Sequence, residues 1–282
     1  MHDEFEMVRE HYHATGLVDR LRTALAVLGP EDRKLDVQQL APLDQFHTRG
    51  MAATAELAAL TGIAAGTSVL DVGAGVGGPA RFLAATYGCR VTGIDLSEPF
   101  VAAARYLTAR TGQQAKVSFE IGSALELPFD DAGFDVVLLQ HVAMNIADRP
   151  RLYGEIRRVL GPLGRLAIHD IVRRDAEPLY PVPWARTPGT SFLLTPAATG
   201  QALERAGFRC LSMQDDTEAA RAWAADLRSG GPPPTPHLGV VMGPGVAEVT
   251  ANLGRNLLEG RIGVLTAVFQ VVAEDGEAGE GK

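Results

Sequence analysis

Apolar positions along this chain change their spacing near residue 67, and the change divides it into two parts. In the first part Leu17, Leu21, Leu25 and Leu28 recur at helical intervals, and Ala52 to Leu60 is rich in alanine and leucine. Residues 1–62 therefore read as a helical cap placed ahead of a sheet. Between its helices lies LAPLDQFHTRG (40–50), a loop whose Pro, Asp, Phe and His suit it to a task beyond connection.

From residue 67 short apolar runs alternate with helical stretches. SVLDV, VTGID, VSFEI, FDVVLLQ and RLAIHDI are the predicted strands, and RFLAATYG, EPFVAAARYLTARTG and ADRPRLYGEIRRVLG are the predicted helices. Such alternation implies a parallel sheet covered on both faces, a doubly wound α/β fold, and the unbroken apolar strands agree with it. After Val172 the prolines and aromatics of RRDAEPLYPVPWARTPGTSF resist regular structure. A helix at TPAATGQALERAGF, a strand at LSMQDD, a helix at TEAARAWAADLRS, a breaker cluster GGPPPTP, a helix near AEVTANLGRNLLEG and a last strand GVLTAVFQVVA follow. We expect one domain over 63–273 with lid segments near 173–190 and 216–262, and a disordered tail at 274–282.

Charge narrows the range of partners. Lys and Arg total 26 against 34 Asp and Glu, a net charge of −8, which counts against a nucleic-acid partner because such binding rests on neutralising phosphates. The pairs Arg157-Arg158 and Arg173-Arg174 read as solvated faces. MHDEFEMVREHYHATG lacks the basic start and apolar stretch of a secretory signal, and no run approaches the ~20 apolar residues of a membrane span. A cytoplasmic protein without a membrane partner is expected. Cys89 and Cys210 have no metal-ligand spacing and are expected as buried free thiols, and no metal site is expected.

The chemistry starts at VLDVGAGVGGPARFLA (69–84), where GAGVGG fits G-x-G-x-x-G. A strand enters a turn in which glycines let the backbone approach a ligand, and a helix opens with Pro79 near its first position. Its N–H groups favour negative charge. Asp95 ends the next strand, 17 positions past Gly78, where a carboxylate accepts from ribose hydroxyls. Both a nicotinamide dinucleotide and S-adenosylmethionine carry that ribose. Asp71, two residues before the first glycine, separates them: a carboxylate there repels a diphosphate and suits an ammonium and a sulfonium.

DVGAGVGGPARFLA, with VTGIDLS, FDVVLLQ and VLGPLGRLAIHDI, resembles the class I S-adenosylmethionine-dependent methyltransferases. LDQFHTRG and GGPAR resemble, within these, the group of sarcosine and dimethylglycine N-methyltransferases. The resemblance covers about residues 40–215 and implies a Rossmann-like seven-stranded, mostly parallel sheet with a reversed final hairpin. It implies that Asp71, Gly73, Gly75 and Gly77 line the methionine part of the cofactor and that Asp95 with Leu96 holds the ribose. Relatives often carry Gly-Asp-Ala in the fourth segment, with the Asp on the adenine amino group. Here the residues are Gly122-Ser123-Ala124, which leaves Ser123 and Ala124 for adenine.

FDVVLLQHVAMNIAD ends a buried strand where ligands sit in doubly wound folds. Gln140 matches a residue that faces the cofactor in similar proteins. At position 141 relatives often have Asp or Glu and at 145 often His, so His141 and Asn145 displace the usual acid and base. Three roles are open to His141: general base, donor that orients the acceptor, or a hydrogen-bonded histidine under the lid. Asp170, after the fifth strand, is expected to pair with it. His47 is a second catalytic candidate; Gln45, Phe46, Asn145, Tyr12 and Trp184 are candidates for the acceptor's walls. His11 and His13 fall on different helix faces and do not suit a shared metal. The function expected is methyl transfer from S-adenosylmethionine to a small molecule, an amine slightly ahead of an oxygen or carbon acceptor. A cyclase or other non-methylating use of the cofactor and a nicotinamide oxidoreductase stand as alternatives.

Overall fold

The computed structural model describes residues 16–229 and 236–272. Tyr12, His11, His13, most of GGPPPTP and the tail 274–282 lie outside the described residues.

Seven strands form one sheet: β1 (Ser68–Val72), β2 (Arg90–Asp95), β3 (Val117–Ile121), β4 (Phe134–Gln140), β5 (Leu160–Arg173), β6 (Phe208–Asp215) and β7 (Ile262–Val271). Their order is β3-β2-β1-β4-β5-β7-β6. The first five run parallel, and β7 pairs antiparallel with both β5 and β6. This is the expected doubly wound sheet with its reversed final hairpin. β5 begins five residues before RLAIHDI, because LGPLG continues the ladder after a shift of register at its start. Cys210, expected to be buried, lies exposed on β6, the strand that forms one edge of the sheet and is mostly solvent-facing.

Strand alternation sorts the core into two layers. One face carries Leu70, Val72, Val137, Leu139, Leu166 and Ile168, packed with Leu152, Tyr153 and Ile156 of helix α6 (Arg149–Val159). The other carries Val69, Val91, Val136, Leu138, Ala167 and Val268, under Leu57 and Ala58 of α3 (Met51–Thr61) and Leu83 of α4 (Gly78–Tyr87). Thus α3, expected in the cap, covers the sheet itself. The described part of the cap proper is α1 (Leu17–Leu25) and α2 (Val37–Asp44), whose leucines bury against Phe100 and Leu107 of α5 (Glu98–Thr111). Asp36 starts α2 with a reciprocal cap, accepting from the Gln38 N–H at 2.8 Å while its own N–H donates to Gln39 Oε1 at 3.0 Å.

After β5 the chain runs irregularly to α7 (Pro196–Arg205). Beyond β6 come α8 (Thr217–Ser229), the single turn α9 (Gly239–Met242) and α10 (Val246–Leu258). The two segments expected as lids are tied to one another: the Leu179 N–H donates to Asn256 Oδ1 at 2.7 Å, and Asn256 Nδ2 donates back to the Leu179 carbonyl at 2.9 Å. Among the described residues no helix is long and apolar enough to cross a membrane.

Candidate active site

The glycine turn joins β1 to α4 with Gly73, Gly75 and Gly77 all at positive φ. A Cβ on Gly73 would stand 2.4 Å from Val142, so no larger residue fits there. Asp95 braces the turn from β2: Oδ2 accepts from the Gly75 N–H and Oδ1 from the Ser97 N–H, at 2.8 and 2.9 Å. A cavity opens beside it, lined by Gly73, Asp95, Leu96, Gly122, Ser123 and Ala124 on one side and by Val142 and Asn145 on the other. Ser123 Oγ accepts from the Leu125 N–H at 3.1 Å, so the serine that stands where relatives have Asp also stabilises its own turn.

Asp71 lies one residue before Val72, which ends β1 and lines the cavity; Asp71 itself does not line it. It is 2% exposed, and its Oδ2 has no hydrogen-bond partner. Burial, then the nearby Asp95 charge, push its pKa up to about 7, against the opposing pull of Arg81. A sealed acceptor with no donor fits a cationic group of the cofactor, and the glycine turn and the cavity fit its adenosine end. Gly75 and Gly77 do not line that cavity. A Cβ on Gly75 would lie 3.1 Å from the Phe46 ring, and one on Gly77 would collide with Phe119. Phe46 thus covers the turn from the cap loop, with its ring centroid 6.0 Å from that of Phe100.

The cap loop is locked to the turn by a buried ion pair. Arg81 Nη2 donates to Asp44 Oδ2 at 2.8 Å and to the Val76 carbonyl at 2.7 Å. Gln45 Nε2 donates to the same Asp44 carboxylate at 3.1 Å.

Beyond the turn, three imidazoles gather on the α3 face of the sheet. Gln140, His169 and Thr266 are cross-strand neighbours on β4, β5 and β7, and alternation points them to one face. His141 follows β4 with φ 56°, and its N–H donates to the His169 carbonyl at 2.9 Å. This left-handed turn stacks its ring on His169, with centroids 5.5 Å apart and planes 10° apart. His47 meets both rings edge-on. Its Nε2 donates to the Gly50 carbonyl at 2.8 Å, and Thr54 Oγ1 lies 3.2 Å from the same nitrogen. Gln140 is bound through Nε2 to Thr54 Oγ1 at 3.2 Å. Burial holds all three imidazoles neutral: His47 falls to about 4 and His169 to about 3, and His141 drops well below the usual range, helped by the other two histidines.

The expected His141–Asp170 pair is not formed. Adjacent residues of a strand point to opposite faces, so His169 stands on the His141 side and Asp170 on the α6 side. There Asp170 Oδ1 accepts from the Ile171 N–H at 2.9 Å, and burial raises its pKa to about 7 despite Arg149. Trp184, expected as an acceptor wall, packs in a buried cluster with Val182, Ile171 and Leu257, its Nε1 donating to Ser191 Oγ at 2.9 Å. Asn145 lines the cavity while Nδ2 donates to the Val142 carbonyl at 3.3 Å.

Sequence reasoning misses His169, Thr48, Thr266 and Asp216. Thr48 Oγ1 lies 3.2 Å from His141 Nε2 and 3.0 Å from His169 Nε2. His169 Nδ1 lies 2.9 Å from Thr266 Oγ1, which donates to Asp216 Oδ2 at 2.6 Å. Arg49 pairs with both Asp216 and Glu56. The available signal is a polar residue at an apolar-face position of RLAIHDI, with another on the partner strand.

Residues 70–168 match the model of a methyltransferase domain. The chain is 35% identical over 150 residues to a glycine/sarcosine/dimethylglycine N-methyltransferase of Actinopolyspora halophila, which covers 53% of this chain and 26% of that protein. It is 34% identical over 185 residues to methyltransferase GfsG of Streptomyces halstedii, 64% of this chain and 66% of that one. It therefore spans less than two thirds of either relative's length. Among solved structures, geranyl diphosphate C-methyltransferase from Streptomyces coelicolor A3(2), in complex with S-adenosyl-L-homocysteine, superposes with a TM-score of 0.69 at 17% identity, covering 95% of this chain and 98% of that one. Residues 70–168 are therefore a methyltransferase domain.

Proposed function

We propose that this protein transfers a methyl group from S-adenosylmethionine to a hydroxyl oxygen of a small molecule, with His141 as the base. One observation carries the reading: a neutral imidazole, one residue before the Val142 that stands against Gly73, whose Nδ1 has no hydrogen-bond partner among the described residues while Nε2 is held by Thr48. An uncharged imidazole has a lone pair for a hydroxyl proton, with a basicity that burial and the two other histidines lower, and proton transfer to a positioned base contributes roughly 10²–10⁴-fold. The amine favoured by the resemblance is less well served. An acceptor of the glycine kind brings a carboxylate, and the guanidinium nearest the histidines, Arg49, is taken by Asp216 and Glu56.

Asp71 would hold the ammonium of the cofactor, Asp95 and Leu96 the ribose, and Ser123 and Ala124 the adenine. When bound, S-adenosylmethionine supplies an electrophilic methyl group on a sulfonium sulfur. The chain's own work is to orient the acceptor, exclude water with the cap loop and the 173–190 segment, and take at His141 Nδ1 the proton that the hydroxyl loses.

Mass spectrometry with methyl-deuterated cofactor tests this on matched panels of hydroxyl and amine small molecules. We expect a three-deuteron shift in a hydroxyl compound, and in His141→Gln a turnover about 100-fold lower with cofactor affinity within about twofold. Products only among amines, or equal losses of turnover and cofactor affinity in the variant, would overturn the reading.

A further inference from the structure

The polar chain behind His141 has a direction. Asp216 is bound by Arg49 and takes the Thr266 hydroxyl proton at 2.6 Å. An ionised carboxylate only accepts. Thr266 has one proton, so Thr266 Oγ1 receives a hydrogen bond from His169, 2.9 Å away at Nδ1. A neutral imidazole carries one N–H, so His169 Nε2 is then an acceptor and takes the Thr48 hydroxyl proton at 3.0 Å. Thr48 Oγ1 is left to accept from His141 Nε2 at 3.2 Å. In this arrangement His141 Nδ1 keeps its lone pair, and the Thr48 N–H, 3.5 Å from His141 Nε2, gives up that acceptor.

We propose that Asp216 is a positioning residue which, through Thr266, His169 and Thr48, fixes His141 in the tautomer with Nδ1 unprotonated. The role of that lone pair as a base rests on the functional reading above; the tautomer does not. His169 is 0% exposed and stacked on His141, so its ring exchanges hydrogen bonds with protein groups rather than with water. Burial and the charge of Arg49, together with His47, oppose a second proton on it, which keeps the one-proton count that the deduction uses. The Thr48 carbonyl, 3.1 Å from His169 Nε2, and the Thr48 N–H, 3.5 Å from His141 Nε2, together offer the competing arrangement. If His169 donates there, Thr48 turns its hydroxyl toward His141 Nε2, the proton of His141 moves to Nδ1, and the base is lost. Asp216 decides between the two, and it acts from beyond β6, on the far side of His169.

Nitrogen-15 NMR of the imidazoles in the full-length protein at pH 7.5 reads this directly. We expect His169 protonated at Nδ1 and His141 at Nε2. Thr266→Val removes the hydroxyl at nearly constant volume and leaves every charge in place. It should shift His169 to the Nε2 proton and His141 to the Nδ1 proton, with turnover at least tenfold lower and cofactor affinity unchanged. Thr266→Ser should restore both the tautomers and turnover. The proposal is overturned by His169 already protonated at Nε2 in the unaltered protein, or by tautomers that Thr266→Val leaves alone. Tautomers that follow the expectation while His141→Gln keeps full turnover would uphold the positioning and remove the base assignment alone.

Discussion

At the scale of single residues, Asp71 is a buried acid whose protonation an arriving cation would change. Its carboxyl holds its proton up to about pH 7 because it is buried beside Asp95 with no donor on Oδ2. An ammonium placed against it would favour the ionised form and draw that pKa down. Cofactor binding at pH 6 should therefore release up to about one proton, and affinity should fall as the pH drops through 7. Titration calorimetry in two buffers of different ionisation enthalpy measures the release. Equal enthalpies in both would mean that no proton leaves, and Asp71→Asn should abolish the difference while weakening binding about tenfold or more.

The same scale shows what could be read from residue order alone. Gly73, Asp95, Leu96, Ser123 and Ala124 are local to strand ends and turns, and their spacing along the chain predicts the cavity they line. His169 and Thr266 are 97 residues apart and meet only through the antiparallel register of β5 and β7, which no local pattern contains. The pairing of His141 with Asp170 fails for a subtler reason. The left-handed turn at His141 breaks the alternation that would otherwise set its direction, and the partner one residue earlier on β5 takes its place.

Among elements, the contact that sets the site is between α2 and α4. Arg81 and Asp44 are both nearly sealed from solvent, and Gly78 lets the helices approach: a Cβ there would stand 2.2 Å from the Asp44 carbonyl. Burial alone raises the Asp44 pKa and lowers that of Arg81, and each charge is retained chiefly by the other. Asp44→Ala leaves a buried guanidinium without its counter-charge and should cost about 3–5 kcal/mol in urea unfolding. It should also loosen Phe46 from the glycine turn, so cofactor dissociation should speed up. Loss of less than about 1 kcal/mol would show that Arg81 finds another acceptor. Helix and strand positions from β1 to β5 are legible because their apolar periods are strong and local. The assignment of α3 to the cap is not, because an alanine-rich helix of nearly uniform hydrophobicity does not reveal which surface it covers.

For the whole molecule, α1, α2 and α9 share a core, with Val241 of α9 buried beside Leu17, Leu21 and Leu40, so global stability registers the buried titrating groups together. Their signs oppose. Asp71 and Asp170 hold protons to about pH 7 when folded but release them near 3.8 when unfolded. Their contribution is thus fully present below 3.8 and lost as pH rises through 7. His47, His141 and His169 are kept neutral when folded, so the unfolded chain binds their protons first and stability falls as pH drops below 6.5, down to about 4 for His47. Asp170→Asn removes one term of the first kind, while its amide oxygen still accepts from the Ile171 N–H. Between pH 5 and pH 8 the unaltered protein should lose about 2–3 kcal/mol through this one group. The variant should be spared that loss, becoming relatively more stable at pH 8 than at pH 5. Urea unfolding at both pH values measures the difference. Parallel changes in the two proteins would mean that Arg149, close to Asp170, holds the carboxylate ionised in the folded state.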